Sequence, residues 1–177
     1  QKGGKQAFKV RLVLAATLSS VYGICNGYEL CENRAKPGTE EYLYSEKYQH
    51  KVWDWDRPGN IKSFITRINK IRRENEALQS SQNLKLLIAD NEDILFYGKW
   101  TKDKSNIILV VVNLNPFEPR NSFVHVPINE FGINSGENYE VQDLITGAIY
   151  KWRGEKSYVH LDPHREPAHV LVVTGNH

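Results

Sequence analysis

The sequence changes character near residue 80, and this change limits the possible folds more than any other feature. Beyond it, short runs of β-branched and aromatic residues alternate with turn residues, as in consecutive strands. The predicted strands are Leu84–Ile88, Ile94–Trp100, Asn106–Leu114, Ser122–Val126, Tyr139–Asp143, Ala148–Trp152, Ser157–Leu161 and Ala168–Val173. Short connections such as Asp90–Asp93 favour antiparallel hairpins. Such a series is typical of a sandwich or a barrel, and we predict an antiparallel β-sandwich over residues 81–177.

One of these runs is more apolar than the rest. Asn106–Leu114 is continuously apolar through its middle, without the alternation of a half-exposed strand. It therefore predicts a strand that is buried on both faces.

The residues before the boundary have a helical pattern. Phe8 and Leu12 recur at helical spacing within Gln6–Leu18, and a second apolar strip beside them indicates a largely buried helix. The apolar segment Val21–Cys25 follows directly and predicts a buried strand of a parallel sheet.

A second helix is predicted from Ile61 to Arg73, with one apolar face and Asn60 as its N-cap. A helix, a strand, a loop and another helix cannot bury their own apolar faces. We therefore expect residues 1–80 to need upstream sequence that completes a parallel sheet or barrel. The chain begins at Gln1 and contains no methionine, so we expect it to be a fragment.

The segment Tyr28–Asn60 shows neither helical nor strand periodicity and is rich in Tyr, Trp, Glu and Lys. Long loops of this kind in compact domains are usually functional. We therefore expect the binding residues of the chain to lie in this loop.

Charge and cysteine content exclude several classes of partner. The 23 basic and 21 acidic residues give a formal charge of +2, which predicts neither nucleic-acid binding nor attraction to an anionic membrane. No apolar run approaches the ~20 residues of a membrane span, and we expect a cytoplasmic protein. Cys25 and Cys31 lack a zinc-ligand spacing and are predicted to be buried free thiols. No histidine pair has metal-ligand spacing.

Five strings of residues carry a resemblance to a known family. They are Ala7–Thr17, Gly27–Asn33, Gly38–Leu43, Ser45–Tyr48 and Asp54–Ile61. Together they resemble the bacterial α-1,4-glucan:maltose-1-phosphate maltosyltransferases of the α-amylase superfamily. The resemblance is dense over residues 7–77 and looser in the β region. It implies that residues 1–80 are the last βα units of a (β/α)8 TIM barrel.

The resemblance also implies a reaction. It predicts a retaining transfer of maltosyl units from α-maltose 1-phosphate to an α-1,4-glucan, with release of phosphate, by a homodimer that needs no metal or other cofactor. Retention requires two carboxyl groups ~5 to 5.5 Å apart. In this family they come from earlier barrel strands, so we expect the catalytic residues upstream of Gln1 and an inactive fragment.

Lys47 and Tyr48 match the lysine–tyrosine pair with which the family contacts the donor, and they are the predicted substrate-binding residues. Lysine can neutralise phosphate, and tyrosine offers a ring face and a hydroxyl. The acids Asp54 and Asp56 are given a structural role, with an ion pair between Asp56 and Arg57 at a turn before the helix.

Glu29 and Glu32 follow the predicted barrel strand, and a supporting role in the active site is possible for both because barrel active sites lie at that edge. Two other functions stay open. One is a different amylase-type hydrolase or transferase. The other is a carbohydrate-binding module, for which Tyr97, Tyr139, Tyr150 and Tyr158 are the candidate aromatic residues.

Overall fold

The computed structural model of the chain describes residues 2–39, 41–43 and 50–174. The helices are α1 (Gly4–Leu18) and α2 (Lys62–Glu74), with short 3-10 helices at Tyr28–Leu30, Glu76–Gln79 and Ile128–Phe131. The strands are β1 (Leu84–Ala89), β2 (Ile94–Trp100), β3 (Ile107–Asn113), β4 (Arg120–His125), β5 (Asn138–Asp143), β6 (Ile149–Arg153), β7 (Lys156–Leu161) and β8 (Ala168–Thr174). Each predicted strand beyond residue 80 is thereby confirmed.

The eight strands form one antiparallel sheet in the order β6-β5-β8-β3-β2-β1-β4-β7. Strand β1 joins its two halves, because Leu84–Leu87 pair with β2 whereas Ile88 and Ala89 pair with β4. The edge strands β6 and β7 are consecutive in sequence and approach each other without pairing. The predicted two-sheet sandwich is therefore corrected to a continuous, nearly closed, barrel-like sheet, since β1 takes part in both halves.

Strand β3 lies at the centre of the packing, and all seven of its residues are buried, as predicted. Leu109 and Val111 point into the curved sheet and pack with Phe96, Tyr139 and Leu171. Residues of opposite parity on a strand point to the opposite face. That face of β3 packs against the two helices.

The helices and the sheet share a second apolar cluster. Phe8 and Leu12 of α1 and Ile68 of α2 pack with Tyr97 and Val110 of the sheet. The cluster thus contains residues from both sides of residue 80. Fully burying a side chain of this size contributes about 1.5–3 kcal/mol, so this contact fixes the helices on the sheet.

The predicted strand Val21–Cys25 is wrong, because these residues have no regular secondary structure. They still alternate like an extended chain: Tyr22 and Ile24 pack on the core, whereas Val21 is 80% exposed. A strand needs a hydrogen-bonded neighbour, and the described part of the chain provides none here. Neither helix in the described residues is long and apolar enough to cross a membrane.

Helix α1 has no basic residue in its last turn, and the sheet and α2 provide cations instead. Lys99 of β2, which is fully buried, donates to the carbonyl oxygen of Thr17 at 3.1 Å. Arg72 of α2 donates to the carbonyl oxygens of Ala16, Ser19 and Ser20. These donors satisfy carbonyl groups that a helix end leaves unpaired, and their charge complements the helix dipole.

Candidate functional site

The loop predicted to carry function, residues 28–60, is closed at its base. The backbone N–H of Ile61 donates to the carbonyl oxygen of Glu29 at 2.7 Å. Arg57 donates to the carbonyl oxygen of Leu30, and its guanidinium lies 3.8 Å from the carboxylate of Glu32. These contacts join the two ends of the loop.

Gly27, which precedes the loop, provides its closest contact. It has φ +93°, and a Cβ at this position would lie 2.7 Å from the ring of Trp53. The Trp53 ring in turn lies 5.2 Å from the ammonium of Lys51 and 6.3 Å from the ring of Trp55. Only glycine leaves room for this contact, which fixes the later part of the loop against its start.

Tyr28 connects the loop to α1. Its hydroxyl donates to the carbonyl oxygen of Phe8 at 2.7 Å, and the two rings meet edge to face with centroids 4.8 Å apart. Burial raises the pKa of Tyr28 to about 12. The hydroxyl therefore stays protonated, as a donor, throughout the neutral range.

A small turn occupies the first half of the loop. The N–H of Leu43 donates to the carbonyl oxygen of Arg34 at 2.8 Å, and Lys51 reaches the carbonyl oxygen of Leu43 at 3.5 Å. Lys47 and Tyr48 lie outside the described residues. Their substrate-binding role stays a prediction, and what the structure describes is the anchoring of the chain on either side of them.

The acids of the loop differ in their partners. Asp56 forms its ion pair with Lys62 at 2.9 Å, so the predicted pair with Arg57 is wrong. The turn itself is confirmed, since the N–H of Arg57 donates to the carbonyl oxygen of Asp54. Arg57 does not pair with Asp56 because its side chain points back to the base of the loop, where it meets Glu32.

Glu29 has a different environment from the other described acids of the loop. Its Oε2 is buried without a hydrogen-bond partner among the described residues. Buried carboxylate oxygens are normally paired, so this atom is a candidate for contact with a group outside the described residues.

The helix start is also displaced from the prediction. Ile61 holds the N-cap position of α2, and the side chain of Asn60 accepts from the N–H of Lys62 at 3.3 Å. Asn60 still satisfies a free N–H at the start of the helix, from one position earlier than predicted.

The thiols and histidines that the structure describes form no metal site. Cys25 is exposed and Cys31 is half-buried, so the predicted burial of both free thiols is wrong. Within the described residues, no three metal-ligating side chains come together. His125 and His169 each contact an aspartate, Asp90 at 2.7 Å and Asp143 at 3.1 Å.

A cavity of about 280 Å³ lies between the helices and the connection from β7 to β8. Lys5, Lys9, Arg67 and Glu166 contribute its charged lining. The Oε2 atom of Glu166 is buried there without a partner among the described residues, and burial raises the pKa of this carboxyl. No sequence pattern predicts the cavity, because its acid and its bases lie about a hundred positions or more apart.

The β region matches a protein family, and nearly the whole chain matches curated relatives. Residues 86–173 match the protein family described as "GLGE, C-terminal". The chain is 50% identical over 98% of its length to the α-1,4-glucan:maltose-1-phosphate maltosyltransferase of Rhodospirillum rubrum, and 44% identical over 98% to that of Chlorobaculum tepidum. It covers 25% and 27% of those proteins. The chain thus spans about a quarter of the length of these curated relatives.

Solved structures share the fold at low sequence identity. An α-amylase from Geobacillus thermoleovorans, solved with acarbose, superposes with a TM-score of 0.69 at 14% identity over 98% of this chain. An α-amylase from Anoxybacillus superposes with a TM-score of 0.65 at 12% identity over 97%. The matched regions are 34% and 33% of those amylase chains.

Proposed function

We propose that this chain forms the C-terminal part of an α-1,4-glucan:maltose-1-phosphate maltosyltransferase. The premise is that the chain is a homologue of the C-terminal quarter of these enzymes. The observation that carries the proposal is the 50% identity over 98% of the chain, which includes the loop as well as the β domain. The enzyme transfers maltosyl units from α-maltose 1-phosphate to the non-reducing end of α-1,4-glucans with retention and releases phosphate.

In this proposal, residues 1–80 are the last βα units of a (β/α)8 barrel and residues 81–177 are the domain that supports it. Two features favour a barrel. Tyr22 and Ile24 pack on the core while Val21 is exposed, the alternation expected of a segment that pairs with a neighbouring strand. Glu29 holds a buried oxygen without a partner among the described residues, at the edge where barrel active sites lie.

Lys47 and Tyr48 are the proposed donor-binding residues. The lysine ammonium neutralises the phosphate or donates to sugar hydroxyls, and the tyrosine offers a ring face and a hydroxyl. The contacts of Gly27 with Trp53 and of Lys51 with Leu43 support this role, because they hold the loop on both sides of the pair. The catalytic carboxylates belong to earlier barrel strands, so the 177-residue chain alone is inactive.

The remaining properties are also proposals. The enzyme is a cytoplasmic bacterial homodimer, uses no metal or other cofactor, and binds neither nucleic acid nor membranes. The near balance of 23 basic and 21 acidic residues supports the last point.

The test is phosphate release by the intact enzyme from α-maltose 1-phosphate with a maltooligosaccharide acceptor. A Lys47→Ala variant should raise the KM for the donor by about tenfold or more. A control Lys36→Ala variant should not, because Lys36 is exposed and its ion pair among the described residues is with the exposed Glu41 at 3.9 Å. Equal KM values for the two variants would contradict the role of Lys47.

The second candidate is another amylase-type hydrolase or transferase, which the likeness to α-amylase structures favours. It predicts turnover of α-glucans without any requirement for the phosphorylated donor. The carbohydrate-binding module loses two of its four candidate aromatics, because Tyr97 and Tyr139 are buried. Tyr150 and Tyr158 remain exposed.

A further inference from the structure

The outer face of strands β1, β4 and β7 carries an exposed pair of aromatic rings. Phe123 and Tyr158 are opposite each other in the pairing of β4 with β7. They are 45% and 54% exposed, and their centroids lie 5.7 Å apart with the planes at 69°. A cross-strand aromatic pair stabilises the sheet, and contiguous exposed apolar surface of this kind also marks interaction sites.

Polar groups surround this pair in register. On one side, Asp90 binds His125 at 2.7 Å and Lys156 at 2.8 Å. On the other side, Asn121 lies opposite His160. We call the surface formed by Asp90, Asn121, Phe123, His125, Lys156, Tyr158 and His160 the aromatic face.

The two sides of the aromatic face differ in how many of their side chains are available to a ligand. Lys156 lies 4.9 Å from the centroid of the Phe123 ring, so the charged side is packed on that ring. The side chains of Asn121 and His160 make no hydrogen bond to another described residue, and both residues are exposed. The exposed ring of Tyr158 therefore lies beside the amide of Asn121 and the imidazole of His160, and each of these groups can bind a ligand hydroxyl.

The charges on this surface indicate the class of ligand. One carboxylate and one ammonium balance each other beside a histidine, so the field does not attract an anionic polymer. A neutral ligand with apolar ring faces and hydroxyl edges matches both parts of the surface. The aromatic rings pack on its ring faces, and the polar side chains bind its hydroxyl groups. Glucose units of a glucan have this chemistry.

We propose that the aromatic face binds α-1,4-glucan through stacking on the Tyr158 ring, which the Phe123 ring supports edge to face, and through hydrogen bonds to Asn121 and His160. The choice of glucan rests on the proposed function, whereas the existence of the site rests on the geometry. The surface lies in the β domain, on strands that do not contribute to the loop of residues 28–60. The aromatic face would bind glucose units of a long acceptor chain that are distant from its reacting end.

Affinity electrophoresis of the intact enzyme in gels that contain soluble glycogen tests the proposal. Tyr158→Ala and Phe123→Ala should each raise the dissociation constant for glycogen about three- to tenfold, because the first removes the stacked ring and the second removes the ring that supports it. Tyr158→Phe keeps the ring and should bind like the wild type. Tyr150→Ala, which removes an exposed tyrosine on β6, is the matched control and should leave binding unchanged.

Unchanged glycogen binding in both ring deletions, with their fold verified by circular dichroism, would overturn the proposal. Equal losses in Tyr158→Ala and Tyr150→Ala would overturn it as well. Neither result affects the proposed reaction, which fails separately if the wild-type enzyme releases no phosphate from α-maltose 1-phosphate.

Discussion

The buried ammonium of Lys99 lies 3.1 Å from the carbonyl oxygen of Thr17, so strand β2 provides a cation that the end of α1 lacks. Thr17 also shares a hydrogen bond of 2.6 Å with the hydroxyl of Tyr97. Lys99 and Tyr97 both belong to the β domain and lie about 80 positions from Thr17 in sequence. This contact fixes the helical part of the chain to the sheet through buried polar bonds as well as apolar packing.

Lys99 gives the fold a defined response to alkaline pH. Burial, with a smaller effect of Arg72, lowers the pKa of Lys99 from 10.5 to about 8. The unfolded chain then binds a proton that the folded chain has lost, so wild-type stability should rise between pH 8 and 10. Lys99→Met should lack this rise, whereas the exposed Lys102→Met should keep it. Urea denaturation across this range measures the difference, and parallel profiles for wild type and Lys99→Met would contradict the prediction.

The hydrogen bond between Tyr97 and Thr17 can be removed with little change of shape. Tyr97→Phe should lower the free energy of unfolding by about 1 kcal/mol or more, because the Thr17 hydroxyl is left buried with one partner fewer. Tyr158→Phe, at an exposed position, should leave it within about 0.5 kcal/mol. Thermal or urea denaturation of both variants checks this, and equal changes would show that the buried bond contributes nothing.

Gly27 can be compared with Gly38, since both have positive φ, +93° and +76°. Alanine at Gly38 meets no atom of the described residues within 4 Å, so backbone strain of about 1 kcal/mol is expected. Alanine at Gly27 also displaces Trp53, and the KM for α-maltose 1-phosphate should rise in that variant alone. In a double-mutant cycle, Gly27→Ala should have less effect in a Trp53→Ala background. Additive effects would mean that the contact with Trp53 does not position the loop.

Most of the elements, but not their arrangement, follow from local sequence patterns. The strands and both helices are predicted because their periodicity records which face is buried, and β3 is the clearest case. Strand Val21–Cys25 fails because a strand depends on a neighbour that the pattern does not specify. The sandwich fails because the double pairing of β1 is a long-range property. Arg57 pairs with Glu32 rather than Asp56 for a similar reason, since closure of the loop decides its direction.

Glu166 should destabilise the fold at neutral pH. Burial raises the pKa of its carboxyl above 4.5, against the opposing charges of Lys9, His169 and Arg67 and with the added effect of Asp143. The folded chain therefore holds this proton more tightly than the unfolded chain, and the favourable contribution is lost as pH rises above about 4.5. Glu166→Gln, which is neutral throughout, should have the higher melting temperature at pH 7 and lose that advantage near pH 4. A lower melting temperature at pH 7 would mean that the carboxylate is stabilised by its basic neighbours.

The central claim concerns what the intact enzyme adds to a glucan, and the chain length of its products tests it most directly. Maltohexaose incubated with α-maltose 1-phosphate should give products that are longer by steps of two glucose units, with one phosphate released for each step. Mass spectrometry of the products beside a phosphate assay provides both values. Steps of a single glucose unit, free maltose as the main product, or extension without the phosphorylated donor would contradict the assignment.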